Sequence, residues 1–112
     1  MVGEMDSKAY QNFVHMDLTE HHKNAYFYSI GISEEAGEVA GIFKRMIRGD
    51  KKYIDLPFVQ EEIAKELGDI LWYVTSLGQK YDLSLEELFK TNFDKLEARD
   101  EKGNRLGNGS NR

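Results

Sequence analysis

The sequence predicts an all-α fold, a bundle of two long and two shorter helices followed by a polar tail. Apolar residues recur at 3.6-residue spacing along two long segments. Ala36, Val39, Ala40, Phe43 and Ile47 mark the first, and Ile63, Leu67, Ile70, Leu71, Val74 and Leu77 the second. Helix punctuation stands at the segment ends, with Gly49-Asp50 closing the first and Pro57 opening the second.

The elements follow in order. A short first helix begins after Asp6 or Ser7, either of which suits an N-cap, and turns Tyr10, Phe13 and Val14 inward. The polar stretch around His21 and His22 reads as a connection. The first long helix runs from about Asn24 to Arg48, with Lys44, Arg45 and Arg48 in its last turns, where cations suit the dipole. A loop over 51–56 leads to Asp55, a cap candidate, and to Pro57 as first residue of a helix reaching Lys80. Ser84 and Glu87 form a capping box for the last helix, whose inward residues are Leu85, Leu88, Phe89, Phe93 and Leu96. From residue 99 onward the Gly/Asn/Arg-rich sequence is expected to be non-helical.

At 112 residues the chain is one domain, 1–112, small enough for oligomerisation to help complete its core. Tyr26, Phe27, Tyr28 and Ile30 are more apolar surface than one face of a small monomer buries, which points to a homo-oligomer. The absence of cysteine excludes disulfides and thiolate metal sites. No apolar run approaches a membrane span, and Met1 to Asp6 lacks a signal-peptide pattern, so a cytoplasmic protein is expected. Formal charge is −5, and five acids fall in one constellation, leaving the remainder near balance. That argues against a broad nucleic-acid-binding surface.

That constellation is a repeated pattern: Glu35-Ala36-Gly37-Glu38 and Glu66-Leu67-Gly68-Asp69, with Glu34 beside the first. Each copy sets two carboxylates on one helix face. Each also holds an interior glycine, at a cost of roughly 0.8–1 kcal/mol relative to alanine. Close approach of the two helices would account for both glycines. Converging carboxylates repel unless a cation lies among them. An all-oxygen donor set favours Mg²⁺, with Mn²⁺ as a substitute, and Mg²⁺ is commonly completed by substrate phosphates. Either acid pair alone is common on solvated helices. Their joint placement beside the apolar stripes is what points to a metal centre. Trp72 and Tyr73 are candidates for stacking a base, and equally core residues.

The stretches GISEEAGEVAGIFKR, EEIAKELGDILWYV and NFDKLEARDEKGNRLGNGSNR resemble the MazG-like all-α nucleoside triphosphate pyrophosphohydrolases. The family's EExxE…ExxD signature appears as Glu34, Glu35, Glu38, Glu66 and Asp69, and Asn92, Lys95 and Arg99 match its last helix. The ending is similar to the GxGDNR tail of small stand-alone members, including phage-type ones, with Ser110 in place of Asp. The resemblance implies Mg²⁺-dependent hydrolysis of a (d)NTP to monophosphate and pyrophosphate. It implies Glu35, Glu38, Glu66 and Asp69 as metal ligands and Glu34 as a ligand or the group orienting water. Lys44, Lys95, Arg99 and Arg112 would face the leaving pyrophosphate, Asn92 a phosphate or sugar oxygen, and the tail would close as a lid. A homodimer or homotetramer, acting in the cytoplasm (the host's, for a phage-encoded member), is also implied. Two other readings stay open: a non-catalytic helical nucleotide-binding or interaction module, and a di-iron carboxylate bundle. The second lacks the Glu-x-x-His pairs that such bundles use.

Overall fold

The computed structural model describes residues 4–20 and 23–101, and it is all-helical, with no strand among the described residues. Four α-helices follow in order: α1 (Ser7–Glu20), α2 (Ala25–Arg48), α3 (Leu56–Lys80) and α4 (Leu85–Glu101), with a 3₁₀ turn over Lys51–Ile54. The expectations for His21, His22, Arg112 and the Gly-rich ending lie outside the described residues.

The caps explain the boundaries. The Ala9 amide donates to Asp6 Oδ1 at 2.8 Å, so Asp6 starts α1, and the Phe27 amide donates to Asn24 Oδ1 at 2.9 Å to start α2. Gly49 adopts φ 80°, and the Asp50 amide donates back to the Arg45 carbonyl at 3.1 Å, which ends α2 in a left-handed cap. Asp55 accepts from the Phe58 amide at 3.1 Å, placing Leu56 rather than Pro57 first in α3. The capping box forms in both directions, with Ser84 N to Glu87 Oε1 and Glu87 N to Ser84 Oγ each at 3.1 Å. One boundary differs from expectation: α4 continues through Asp100 and Glu101, because the helix breakers begin only at Gly103.

The two long helices pack antiparallel and form the main contact of the fold, with α1 laid across α3 and α4 joined to α1 through its first turn. There Leu85 is buried and its amide donates to Gln11 Oε1 at 2.8 Å. The core is built around Tyr28, which is fully buried, with the Trp72 ring at 5.8 Å and the Phe27 ring at 5.8 Å, both edge-on.

The buried faces match the apolar periodicity only in part: Val39 on α2 and Ile63, Ile70, Val74 and Leu77 on α3 are half-buried as expected, whereas Ala36 and Ala40 are exposed. On α2 the inward line is Tyr28, Gly31, Glu35, Val39, Ile42 and Met46, buried or half-buried. Phe43 and Ile47, expected inside, are 47% and 88% exposed, and on α3 Leu67 and Leu71 are 51% and 41% exposed. Phe13, Phe89 and Phe93 are exposed as well. Each long helix therefore carries two apolar lines, one satisfied within the chain and one facing outward. A helix apolar on more than one side is built to be covered on more than one side. The open shape agrees: the radius of gyration is 17.0 Å, against about 13 Å for a compact domain of this length.

Candidate metal centre

Packing α2 against α3 places acids inside the contact line itself. Glu35 follows Gly31 by one turn on the inward face of α2, and Glu66 and Asp69 lie one turn apart on α3. Glu35 and Glu66 are half-buried and Asp69 is exposed. One carboxylate oxygen from each lies within 4.8 Å of the others, the one such grouping of acids and histidines among the described residues.

The electrostatics follow from the spacing. Two carboxylates at about 4 Å repel by roughly 4 kcal/mol at an effective dielectric of 20, too much for three to stay ionised together unaided. The strain falls on Glu35, whose pKa is raised to about 7. Burial contributes most, followed by a hydrogen bond shared with Glu66 and by the charges of Asp69, Glu66 and Glu34. The nearest α3 cation, Lys65, does not relieve it: its Nζ lies 3.1 Å from Glu62 and 3.6 Å from Glu61.

The donor set fits a hard divalent cation. Three carboxylate oxygens within 4.8 Å are close to the roughly 4 Å that separates opposed ligands across Mg²⁺. An ion held by these three would keep positions for water and phosphate oxygens.

The remaining expected residues lie apart from this cluster to different degrees. Glu34 and Glu38 are exposed on either side of Glu35, outside the three-acid grouping, though Glu34 is near enough to push the Glu35 pKa up. Trp72 serves the core, its indole N–H donating to Asp17 at 3.0 Å and its edge set against Tyr28. Lys44 is exposed and lies about 13 Å along α2 from Glu35, where its charge helps to hold the Asp50 pKa down, after the hydrogen bond from Arg48. Asn92 and Lys95 are exposed on α4, and Arg99 is half-buried there.

Two tyrosines stand beside the acids: Tyr73, read from the sequence together with Trp72 as a base-stacking or core residue, and Tyr10, which the sequence did not connect with them. Tyr73 has its pKa raised by burial and then by Glu35, Glu34 and Asp69, and that of Tyr10 is raised by burial and then by Asp69. Tyr10 comes from α1, whose approach to the acids no spacing rule reveals. The signal for Tyr73 was its position four residues after Asp69, hence on the same face.

The glycines also need correcting. A Cβ at Gly37 or at Gly68 would meet nothing within 4 Å, so neither enables the close approach expected of it. Both are exposed. The close approach is at Gly31, where a Cβ would stand 2.3 Å from Tyr73 Cε1.

Metal binding should therefore depend on pH near neutrality. A carboxylate ligates only when ionised, so with Glu35 as a ligand a proton would compete below about pH 7 and the affinity for Mn²⁺ would fall by up to tenfold per unit. Calorimetric titration in buffers of different ionisation enthalpy is expected to show about one proton released per ion near pH 6. For the metal-free protein the sign is set by the raised pKa. The Glu35 contribution to stability is fully present below the ordinary carboxylate value of 4.5 and is lost as pH rises through about 7. A metal-free melting temperature that instead rose across that window would contradict the cluster.

Sequence comparison agrees with the geometry. A family model described as the MazG nucleotide pyrophosphohydrolase domain matches residues 27–104, a span that includes all five signature acids. The chain is 34% identical over 86 residues to the gene 37 protein of Mycobacterium phage L5, covering 77% of this chain and 75% of that protein. No solved structure matches the chain. With an acid cluster between two antiparallel helices and a family match running from α2 through α4, this chain belongs to the MazG nucleotide pyrophosphohydrolase domain family.

Proposed function

We propose that the protein hydrolyses a nucleoside triphosphate, (d)NTP, to the monophosphate and pyrophosphate in a reaction that requires Mg²⁺, with Mn²⁺ able to substitute. The observation that carries this reading is the convergence of Glu35, Glu66 and Asp69. These three would hold the ion, with Glu38 supplying a further carboxylate. When bound, Mg²⁺ neutralises phosphate charge and lowers the pKa of a coordinated water. Glu34, exposed beside Glu35, would serve as a further ligand or orient the water and take its proton. Attack at the α-phosphorus expels pyrophosphate. Lys44, Lys95, Arg99 and Arg112 are the cations assigned to that leaving group, and Asn92 to a phosphate or sugar oxygen.

The outward apolar line supports assembly into a homodimer or homotetramer. Phe43, Ile47, Leu67 and Leu71 are large, exposed and carried by the same two helices as the acids. A second copy covering that line would also bring further helices toward the metal centre. No described helix is long and apolar enough to cross a membrane.

A product assay with a panel of NTPs and dNTPs in Mg²⁺ tests the reading. Monophosphate plus pyrophosphate is expected, and the ranking of substrates names the preferred base and sugar. Orthophosphate would place attack at the terminal phosphorus and refute the mechanism. Bound metal without turnover of any nucleotide would favour the non-catalytic binding module.

A further inference from the structure

We propose that Gly31 and Tyr73 form the spacing element of the metal centre, holding α2 and α3 at the separation that lets Glu35 meet Glu66 and Asp69. This rests on the metal-centre reading above and adds a positioning pair that touches neither metal nor substrate.

Gly31 is buried, and the Tyr73 ring lies directly over its α-carbon. A Cβ there would stand 2.3, 2.4 and 2.6 Å from ring atoms Cε1, Cδ1 and Cζ. Side-chain carbons in proteins do not approach below 3.0 Å, so only the missing side chain allows this contact. The ring has little freedom to step aside. Trp72 stands edge-on to it at 5.3 Å, and Phe27 and Tyr28 lie at 6.2 and 6.5 Å. Tyr28 is itself fully buried.

Register joins this contact to the acids. Gly31 lies four residues before Glu35 on α2, and Tyr73 four residues after Asp69 on α3. Between antiparallel helices, one turn along from Gly31–Tyr73 is Glu35–Asp69. The gap at the first contact therefore sets the gap at the second. Accommodating a methyl at Gly31 needs about 1 Å more separation, and misplacements of that size are costly at a preorganised site. Mg²⁺ is especially exacting, since it demands near-ideal octahedral geometry.

The test is Mn²⁺ affinity without nucleotide, measured beside the metal-free melting temperature. Gly31→Ala is expected to weaken Mn²⁺ binding by roughly 10- to 100-fold, the range seen when groups supporting a ligand are removed. Gly37→Ala, with open space around it, is expected to stay within about threefold of wild type, below that range. Gly31→Ala/Tyr73→Leu makes room for the methyl and is expected to recover most of the affinity. Tyr73→Phe keeps the ring and is expected to bind as wild type does. If Gly31→Ala does not fold, the double variant and Tyr73→Phe decide.

A Gly31→Ala protein that melts lower yet binds Mn²⁺ unchanged would make Gly31 structural only and overturn the proposal. So would an equal loss with Gly37→Ala, a folded double variant that fails to recover, or a comparable loss with Tyr73→Phe, which would assign the effect to the hydroxyl. Absence of Mn²⁺ binding by the unsubstituted protein is a different failure. It would remove the metal-centre reading itself.

Discussion

Glu35→Gln is expected to lower pyrophosphohydrolase activity by orders of magnitude while making the metal-free protein more stable at neutral pH. The two effects share a cause. Glu35 is the member of the cluster that both helices bury most awkwardly, and its pKa near 7 records the cost of placing its charge beside Glu66 and Asp69. An amide keeps the shape and a hydrogen bond to Glu66 but carries no charge, so repulsion falls. The gain is about 1 kcal/mol once solvent screening of this half-exposed group is allowed for. That corresponds to a rise in melting temperature of about 4 °C for a domain of this size. The loss of function is larger. A bound divalent ion is worth several kcal/mol of transition-state stabilisation, and each 1.36 kcal/mol is tenfold in rate. Removing a carboxylate from the proposed metal centre should therefore lower kcat by on the order of 10²- to 10³-fold. Pyrophosphate release assayed at saturating Mg²⁺, with melting curves run in chelator, reads both quantities. Retained activity would exclude Glu35 from the metal centre, and a lowered melting temperature would mean that its carboxylate is structurally favourable.

Tyr28→Ala is expected to produce the largest loss of stability of any single substitution in α2. Tyr28 is fully buried where α1, α2 and α3 meet. It packs on Phe27, Trp72 and Tyr73, and its hydroxyl accepts from the Lys23 amide at 3.2 Å. Truncating an aromatic in such a position costs about 3–5 kcal/mol, from lost burial and from the cavity left behind. Against a total of about 5–15 kcal/mol for an ordinary domain, that is a large fraction. Tyr28→Phe removes only the hydroxyl and should cost about 1 kcal/mol. Urea denaturation of the three proteins gives the comparison, and a Tyr28→Ala midpoint near wild type would show that this cluster is not the core. Because the same rings brace Tyr73, Tyr28→Ala should also weaken metal binding in the fraction that stays folded.

Several levels of this molecule were legible in its sequence because they depend on local chemistry. Asp6, Asn24, Asp55 and Ser84–Glu87 cap helices by reaching backbone amides three residues away, and Gly49 supplies a left-handed residue where α2 ends. Such interactions are complete within a few residues, so the chain alone determines them. Two acid pairs at helical spacing are local in the same sense, and three of their four acids, Glu35, Glu66 and Asp69, converge in the fold.

Which face of each helix turns inward is not local. Both long helices carry two apolar lines, and periodicity cannot rank two stripes that are equally apolar. Tertiary structure chose the line holding Tyr28, Gly31 and Ile42 over the line holding Phe43 and Ile47. That choice placed Glu35 within the helix contact instead of at its edge. It also moved the close-approach glycine from the signature positions Gly37 and Gly68 to Gly31, because a glycine matters only where a neighbour comes near. The types of residue in the acid cluster were set by the sequence. Their separation was set by how a tyrosine ring on one helix rests on the bare backbone of the other, a distance that no single segment contains.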